Sequence, residues 1–576
     1  MAKNNDNLER ARHSLAHLMA SAIVIKYPTV KLGIGPTIEG GFYYDFDLPE
    51  KITLEELPKL EKSIKELIKK DIKFEKEEIS AKKAKEIFKD QPFKLELIEE
   101  LEIAGEKISI YKSGDFIDLC VGPHIESSKE IDPDSFKLTK VAGAYWRGSE
   151  KNKMLTRIYG IAFPTKQNLD DYLKMMEEAE KRDHRKLGLQ LGLFMFHETA
   201  PGMPYWLPNG LIIYNELINF WRAEHMIAGY KEIASPLVNK AELWKISGHW
   251  DHYENDMFIA NMGENEIYGI KPMNCPNAMI VFASQQVSYK DLPFRLSDVD
   301  RLHRYERSGT LNGLLRVRSF QQDDSHNFIT ENMIGDEYEH IFELCKKFYG
   351  IFNLEYSFRL GTRPDKFLGE IKTWNKAEEI LKEILKKSGK KYSVAGGDGA
   401  FYGPKIDIVM KDSLGRDWQM GTIQLDFQLP QRFNLEYTDK SGEKKKPVVI
   451  HRVIYGSLER FIGILIEHTA GNLPLWLSPI QVKILTVSEK QNDYANKVLT
   501  ELKNAGIRAE MDKTNETLGK KIRSNKTKKT PYLLVVGEKE EKENTVSINA
   551  RDNKEQEVLS LSQFTEKILK EIINKK

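Results

Sequence analysis

The chain has 576 residues, several times the ~150 of an average domain, so more than one core is expected. Hydrophobic residues make up 40% and charged residues 30%, and 87 Lys+Arg against 86 Asp+Glu leave a net charge of +1, so only local patches can argue for a nucleic-acid partner. No run approaches the ~18 apolar residues of a membrane span, the opening MAKNNDNLERARHS lacks the apolar core of a secretory signal, and the widely spaced Cys120, Cys275 and Cys345 exclude a disulfide framework. A cytoplasmic protein without a membrane partner is expected.

The stretch ERARHSLAHLMASAIV reads as a helix that sets His13 and His17 one turn apart on a single face. Such a pair suits metal ligation, proton transfer or plain packing. It is not HExxH, because Ser14 stands where a metalloprotease has its glutamate. Residues 59–70, KLEKSIKELIKK, predict an amphipathic helix with Leu60, Ile64, Leu67 and Ile68 on one face. From 107 to 164, short apolar pieces between Gly and Pro read as strands, and SGDFIDLCVGPHI places Cys120 and His124 four residues apart. The helical stretch LDDYLKMMEEAEKRDHRKLG leads into a middle third rich in aromatics, Gly and Pro that ends at LPLWLSPIQ. Residues 482–536 then alternate strand and helix as β-α-β-α-β, a small doubly wound α/β domain whose segment 518–530, LGKKIRSNKTKKT, is its strongest basic cluster. The expected domains are 1–183 (α+β), 184–476 and 477–576.

No GxxxxGK[ST] occurs, and GIGPTI at 33–38 fails GxGxxG at Ile38, so neither P-loop nor Rossmann chemistry is expected. FRLSDVDRLHRYERSGTLNGLLRVRSFQQDDSHNF (294–328) places two strand-like arms around a loop carrying Arg304, Glu306, Gly309, Gly313 and Arg316. Arginines beside glycines suit a polyphosphate, and they also suit a surface salt-bridge network. Further segments narrow the choice: GYKEIASPLVNKAELWKISGHWDHY (229–253) lies upstream and HRVIYGSLERFIGILIEH (451–468) downstream. In this order the three resemble the signature motifs of class II aminoacyl-tRNA synthetases, centred on Pro236, Arg304 and Arg460. The resemblance implies an antiparallel-sheet catalytic core that binds ATP, with Mg2+, between Arg304 and Arg460. Glu306, Arg316, Phe320, Gln419, Thr422 and Gln424 would line the nucleotide site, and a homodimer would form through the first motif.

KPMNCPNAM, DDSHNF and VVIHRVIYG add Cys275, His326 and His451, whose spacing fits a buried cysteine with two hydrogen-bonded histidines as well as a three-ligand zinc site. In the class II enzymes specific for threonine, a Cys and two His in matching surroundings hold one zinc per subunit. The resemblance therefore implies a zinc that binds the amino group and β-hydroxyl of L-threonine. It further implies Asp324 for the substrate ammonium, Gln322 and Tyr402 as pocket neighbours, Lys405 at the reacting carboxylate or phosphate, and His249 at the tRNA 3′ end. An apolar pocket cannot separate near-isosteric threonine and valine, whereas a polar partner for the hydroxyl can.

Serine keeps that hydroxyl and lacks one methyl, a difference worth only ~1–3 kcal/mol, so a second, hydrolytic site is needed. HSLAH with CxGPH resembles the editing domain shared by threonyl- and alanyl-tRNA synthetases, with His13, His17, Cys120 and His124 at its centre, Lys94 near the cleft and Asp118 as an orienting carboxylate. By type these four are also a zinc set, which the alanine-specific relatives use; in threonine enzymes the resemblance implies water activated by imidazole without metal. The C-terminal domain resembles the class IIa anticodon-binding domain, with Arg551 matching an arginine that reads an anticodon base. The expected activity is ligation of L-threonine to tRNA(Thr) through threonyl-adenylate, with hydrolysis of seryl-tRNA(Thr). Most bacterial members begin with a ubiquitin-like domain; only twelve residues precede His13, so that domain is expected to be missing. A regulatory paralogue would lose the arginines or ligands that this sequence keeps, and a stand-alone deacylase would need nothing beyond about residue 183.

Overall fold

Residues 14–23 of α1 (Ala2–Lys26) are buried on every side, so this helix is the centre of its unit and not a surface helix. The structure, a computed structural model, describes residues 2–263, 266–553 and 555–575. Around α1 lie β1 (Gly41–Asp47) and α2 (Leu57–Lys69), whose predicted stripe of Leu60, Ile64, Leu67 and Ile68 is buried. Next come β2 (Phe74–Ile79), α3 (Pro92–Ala104), β3 (Ile108–Ser113), β4 (Phe116–Leu119), β5 (Phe136–Tyr145) and β6 (Met154–Ala162). They form two antiparallel sheets, β1-β6-β5 and β2-β3-β4. The chain divides into compact units between Glu177 and Glu178, inside the helix Lys166–Arg182.

The second unit begins with α4 (His184–Gln190) and α5 (Pro208–Ile227), then α6 (Cys275–Ala283), β7 (Phe294–Asp298), β8 (Arg301–His303), β9 (Ser319–Ile329) and α7 (Ile334–Gly350). It continues through β10 (Ser357–Gly361), β11 (Lys405–Lys411), β12 (Asp417–Asp426), β13 (Val448–Ser457) and α8 (Leu458–Thr469). The strands pair antiparallel in the order β7-β9-β13-β12-β11-β10. Side chains alternate across a strand. Ile406, Ile408, Ile423, Leu425 and Ile450 therefore pack with Trp221, Phe348 and Phe461 of α5, α7 and α8, while their neighbours Lys405, Asp407, Thr422, Gln424 and His451 face the other side. A bulge between Gln322 and Asp324 interrupts the β9/β13 register, and the buried Asp323 carboxylate there accepts the Ile454 and Gly456 N–H groups at 3.0 and 2.9 Å.

The C-terminal part runs β14 (Val482–Thr486), α9 (Asn492–Asn504), β15 (Ala509–Met511), α10 (Leu518–Thr527), β16 (Tyr532–Val536), β17 (Thr545–Ala550), β18 (Glu557–Ser560) and α11 (Leu561–Ile573). Its sheet order is β15-β14-β16-β17-β18. The β-α-β-α-β half is parallel as expected, but β17 and β18 are antiparallel, so the sheet is mixed. The connections Gly537–Asn544 and 551–556 are shorter than the dozen or so residues that a parallel crossover needs. No helix among the described residues is long and apolar enough to cross a membrane.

Gly421 of β12 leaves no room for a side chain: a Cβ there would lie 2.6 Å from the Val453 carbonyl oxygen and 2.7 Å from that of Ile454. Gly421→Ala is expected to force β12 from β13 and to destabilise the protein by about 1–3 kcal/mol, measured as a lower midpoint in thermal unfolding.

Candidate functional site

The β9/β13 register sets His326 opposite His451, and Cys275 opens α6. Their ligand atoms lie within 4.8 Å of one another, and all three residues are buried. Burial pushes the Cys275 thiol well up and the His326 imidazole well down, which keeps that ring neutral. Neither ring nitrogen of His326 has a hydrogen-bond partner, a cost of about 1–3 kcal/mol for each group left bare. His451 Nε2 donates to Asp426 Oδ2 at 3.0 Å, which leaves Nδ1 with its lone pair. An unpaired imidazole, a second imidazole backed by carboxylate and a cysteine fit a zinc ion that keeps positions open for substrate.

These residues border a cavity of about 510 Å3 whose wall also carries Gln322, Asp324, Tyr402 and Lys405. Asn274 Nδ2 donates to Asp324 at 3.2 Å, while burial raises that carboxyl to about 6. The Tyr402 hydroxyl donates to Gln424 Oε1. Lys405 Nζ lies 3.0 Å from Asp407, whose other oxygen accepts from Gln419 at 2.9 Å and from Thr422 at 3.1 Å.

Arg304 also lines this cavity, with Nε donating to the Pro272 carbonyl at 3.2 Å and its guanidinium 5.2 Å from the centre of the Phe320 ring. Arg460, in the first turn of α8, donates from Nε to the Leu315 carbonyl at 2.8 Å and from Nη1 to that of Gln419 at 2.5 Å. Among the described residues neither forms a salt bridge; Arg316 Nε lies 3.9 Å from Glu306. Burial, with repulsion from Arg316 and Arg304, depresses Arg460 to about 10. Three arginines crowded around one carboxylate, Glu306, leave an excess of positive charge that suits a polyanion.

In the N-terminal unit His13, His17, Cys120 and His124 also place their ligand atoms within 4.8 Å of one another, beside a cavity of about 530 Å3. The Ser14 hydroxyl donates to the Arg10 carbonyl at 2.9 Å, so toward His124 Nδ1, at 3.0 Å, it accepts. The Pro123 carbonyl, 3.2 Å from His13 Nδ1, can only accept. Both rings therefore carry the proton on Nδ1 and aim an Nε2 lone pair at Cys120 Sγ, 3.4 Å from each. Burial raises the thiol to about 12 and lowers both imidazoles, so one S–H faces two neutral acceptors and can satisfy one. The lone pair left over suits a water molecule. His17 Nε2 stands 3.7 Å from Asp118, which Lys94 pairs at 2.5 Å and the Tyr44 hydroxyl meets at 2.6 Å.

Comparison with known proteins bears on both sites. Residues 258–469 match the family described as tRNA synthetase class II core domain (G, H, P, S and T). Residues 481–571 match an anticodon binding domain, and 108–159 the threonyl and alanyl tRNA synthetase second additional domain. The threonine–tRNA ligase of Clostridium tetani is 49% identical over 574 residues, covering 99% of this chain and 89% of that protein. The chain belongs to the threonine–tRNA ligase family. The ligase of Thermotoga neapolitana is 51% identical over 569 residues, covering 98% of this chain and 88% of its own. Among solved structures, the RNA binding domain of threonyl-tRNA synthetase from Cryptosporidium parvum is similar at a TM-score of 0.65 and 44% identity, covering 67% of this chain and 98% of that one. A threonyl-tRNA synthetase of Aeropyrum pernix is similar at 0.60 and 28%, covering 69% and 96%.

The two residues expected to touch tRNA in this threonine–tRNA ligase family member both have hydrogen-bond partners within the chain. His249 is fully buried between Ser247 Oγ at 2.8 Å and Met273 Sδ at 2.9 Å, because Gly248, at φ 83°, ends the preceding helix and turns the ring inward. His249 Nε2 also lies 3.9 Å from Cys275 Sγ, at the edge of the group expected to hold zinc. Arg551 donates to the carbonyls of Lys529 and Leu473, both at 3.1 Å. Sequence reasoning misses Tyr44, Asn274, Asp407 and Asp426, which lack a local pattern. It also misses the role of Ser14, which lies inside HSLAH and shows there only as the replacement for a glutamate.

Lys94 is 1% and Asp118 2% exposed, so removing one partner strands the other. Lys94→Met is expected to cost about 3–5 kcal/mol, read by urea unfolding of the N-terminal unit within the full chain.

Proposed function

We propose that the chain joins L-threonine to tRNA(Thr) at the expense of ATP, through threonyl-adenylate, and hydrolyses seryl-tRNA(Thr) in its N-terminal unit, working in the cytoplasm as a homodimer paired through the segment around Pro236. The observation that carries the first half is the placement of Arg304, without a salt bridge among the described residues, beside Cys275, His326 and His451 and close to Arg460 and Arg316. Asp324 receives the substrate ammonium on entry, whose charge favours the ionised carboxylate, and accepts an N–H of the same nitrogen once that is the neutral amine. The threonine carboxylate attacks the α-phosphorus, the bond to diphosphate breaks, and the terminal tRNA hydroxyl then attacks the carbonyl carbon to release AMP. Arg304 and Arg460, with Lys405 at the reacting oxygens, balance charge as it builds on the phosphates. Zinc held by Cys275, His326 and His451 supplies, when bound, Lewis-acid coordination of the amino and hydroxyl groups, and Mg2+ accompanies the nucleotide. Glu306, Phe320, Gln419, Thr422 and Gln424 shape the nucleotide side, Gln322 and Tyr402 the amino-acid side. Arg551 serves the anticodon end.

In editing, an Nε2 lone pair of His13 or His124 takes a proton from water as its oxygen attacks the ester carbonyl, and the bond to the terminal ribose oxygen breaks. His17, Lys94 and Asp118 orient the cleft. The fixed Nδ1–H tautomers leave Nε2 as the base toward water, and the metal-free form of this reading rests on the resemblance to threonine-specific enzymes.

Cys275→Ser is expected to lose bound zinc by elemental analysis together with threonine-dependent ATP–pyrophosphate exchange; full exchange without zinc overturns the assignment. Deacylation of seryl-tRNA(Thr) is expected to survive chelation. Because burial lowers both imidazoles, their basic form persists as pH falls, so the rate should hold through about pH 6.5, the ordinary imidazole value, and decline only below it. Loss on chelation with recovery on added zinc would overturn the metal-free reading.

A further inference from the structure

The loop between β8 and β9 supplies the carbonyl that holds Arg460, yet that arginine does not hold the loop alone. His184, the first residue of α4, is buried and uses both ring nitrogens. Nδ1 lies 2.7 Å from Glu467 Oε1, a carboxylate oxygen that can only accept, so Nδ1 carries the proton. Nε2 is left as an acceptor and receives the Leu314 N–H at 3.0 Å. The other oxygen of Glu467 accepts the Ser413 hydroxyl at 2.9 Å, from the turn between β11 and β12. Two glycines make room for this contact. A Cβ on Gly313, at φ +50°, would lie 2.2 Å from His184 Nε2, and one on Gly463 of α8 would lie 3.0 Å from Leu315. The next carbonyl along the loop, that of Leu315, receives Arg460 Nε at 2.8 Å, and Asn312 N–H donates to the Arg316 carbonyl at 3.2 Å to close the turn.

We propose that His184 is a positioning residue for ATP: it fixes Leu314 so that Leu315 seats Arg460 and Arg316 faces the nucleotide. The inference rests on the function proposed above. A filler role would need only the volume of the ring, whereas this role needs a donor toward Glu467 and an acceptor toward Leu314. The test uses the full chain, with KM for ATP and for threonine in pyrophosphate exchange and the thermal midpoint for each variant. His184→Phe, which keeps the ring and loses both hydrogen bonds, is expected to raise the ATP KM about tenfold, the scale of one to two lost buried hydrogen bonds, with the threonine KM unchanged. His184→Gln, whose amide can donate to Glu467 while its oxygen accepts from Leu314, is expected to recover most of that loss. An unchanged ATP KM in folded His184→Phe overturns the proposal. So does a parallel rise of both KM values with a lowered midpoint, or a glutamine variant no better than phenylalanine. Should His184→Phe fail to fold, Ser413→Ala removes only the outer bond; it should raise the ATP KM about twofold, and no change counts against the proposal. Absence of exchange in the unaltered protein refutes the proposed function instead, and the ATP Kd of the same variants by calorimetry then tests His184 alone.

Discussion

The pairing of β9 with β13 is the constraint on which the catalytic side of the molecule depends. A strand has a side-chain period of two, so a slip of β9 by one residue would turn His326 away from His451 and bring Asn327 to its face. Asp323 resists that slip. Its carboxylate sits in the bulge and takes two N–H groups of β13, and burial lifts its proton affinity to about 7, which those N–H groups oppose. The bulge also decides which way Asp324 faces, so the residue assigned to the substrate ammonium depends on one irregular step in the sheet.

Two clusters of cysteine and histidine occur in one chain, and their surroundings differ in kind. His451 is backed by the Asp426 carboxylate, which fixes its proton on Nε2, and His326 has no hydrogen-bond partner of its own. His13 and His124 are backed by a neutral carbonyl and a neutral hydroxyl, which fix the tautomer without adding charge. The same residue types thus meet a charged partner in one unit and neutral partners in the other.

Much of this is legible in the order of residues along the chain. The HSLAH turn, the helix at 59–70 and the β-α-β-α-β run are local patterns, and short-range periodicity carries them. The segments around Arg304, Cys275, His326, Arg460 and His451 do lie around one another in space. What escapes depends on partners distant in sequence. Nothing near Asp426 announces that it backs His451, nothing near Tyr44 that it meets Asp118, and the inward turn of His249 follows from one left-handed glycine. The antiparallel end of the C-terminal sheet can be read from its short connections, since those leave no length for a crossover.

Residues 14–23 of α1, buried on all sides, are the part of that helix shielded from solvent. Amides of a helix at the centre of a core exchange with solvent only when the whole unit opens, while loops open locally at little cost. His17 lies inside the buried stretch of α1 and the half-buried His13 one residue before it, while Cys120 and His124 lie on the turn that follows β4. Half of the cluster is a fixed anvil, and any adjustment to an incoming ester falls to the other half.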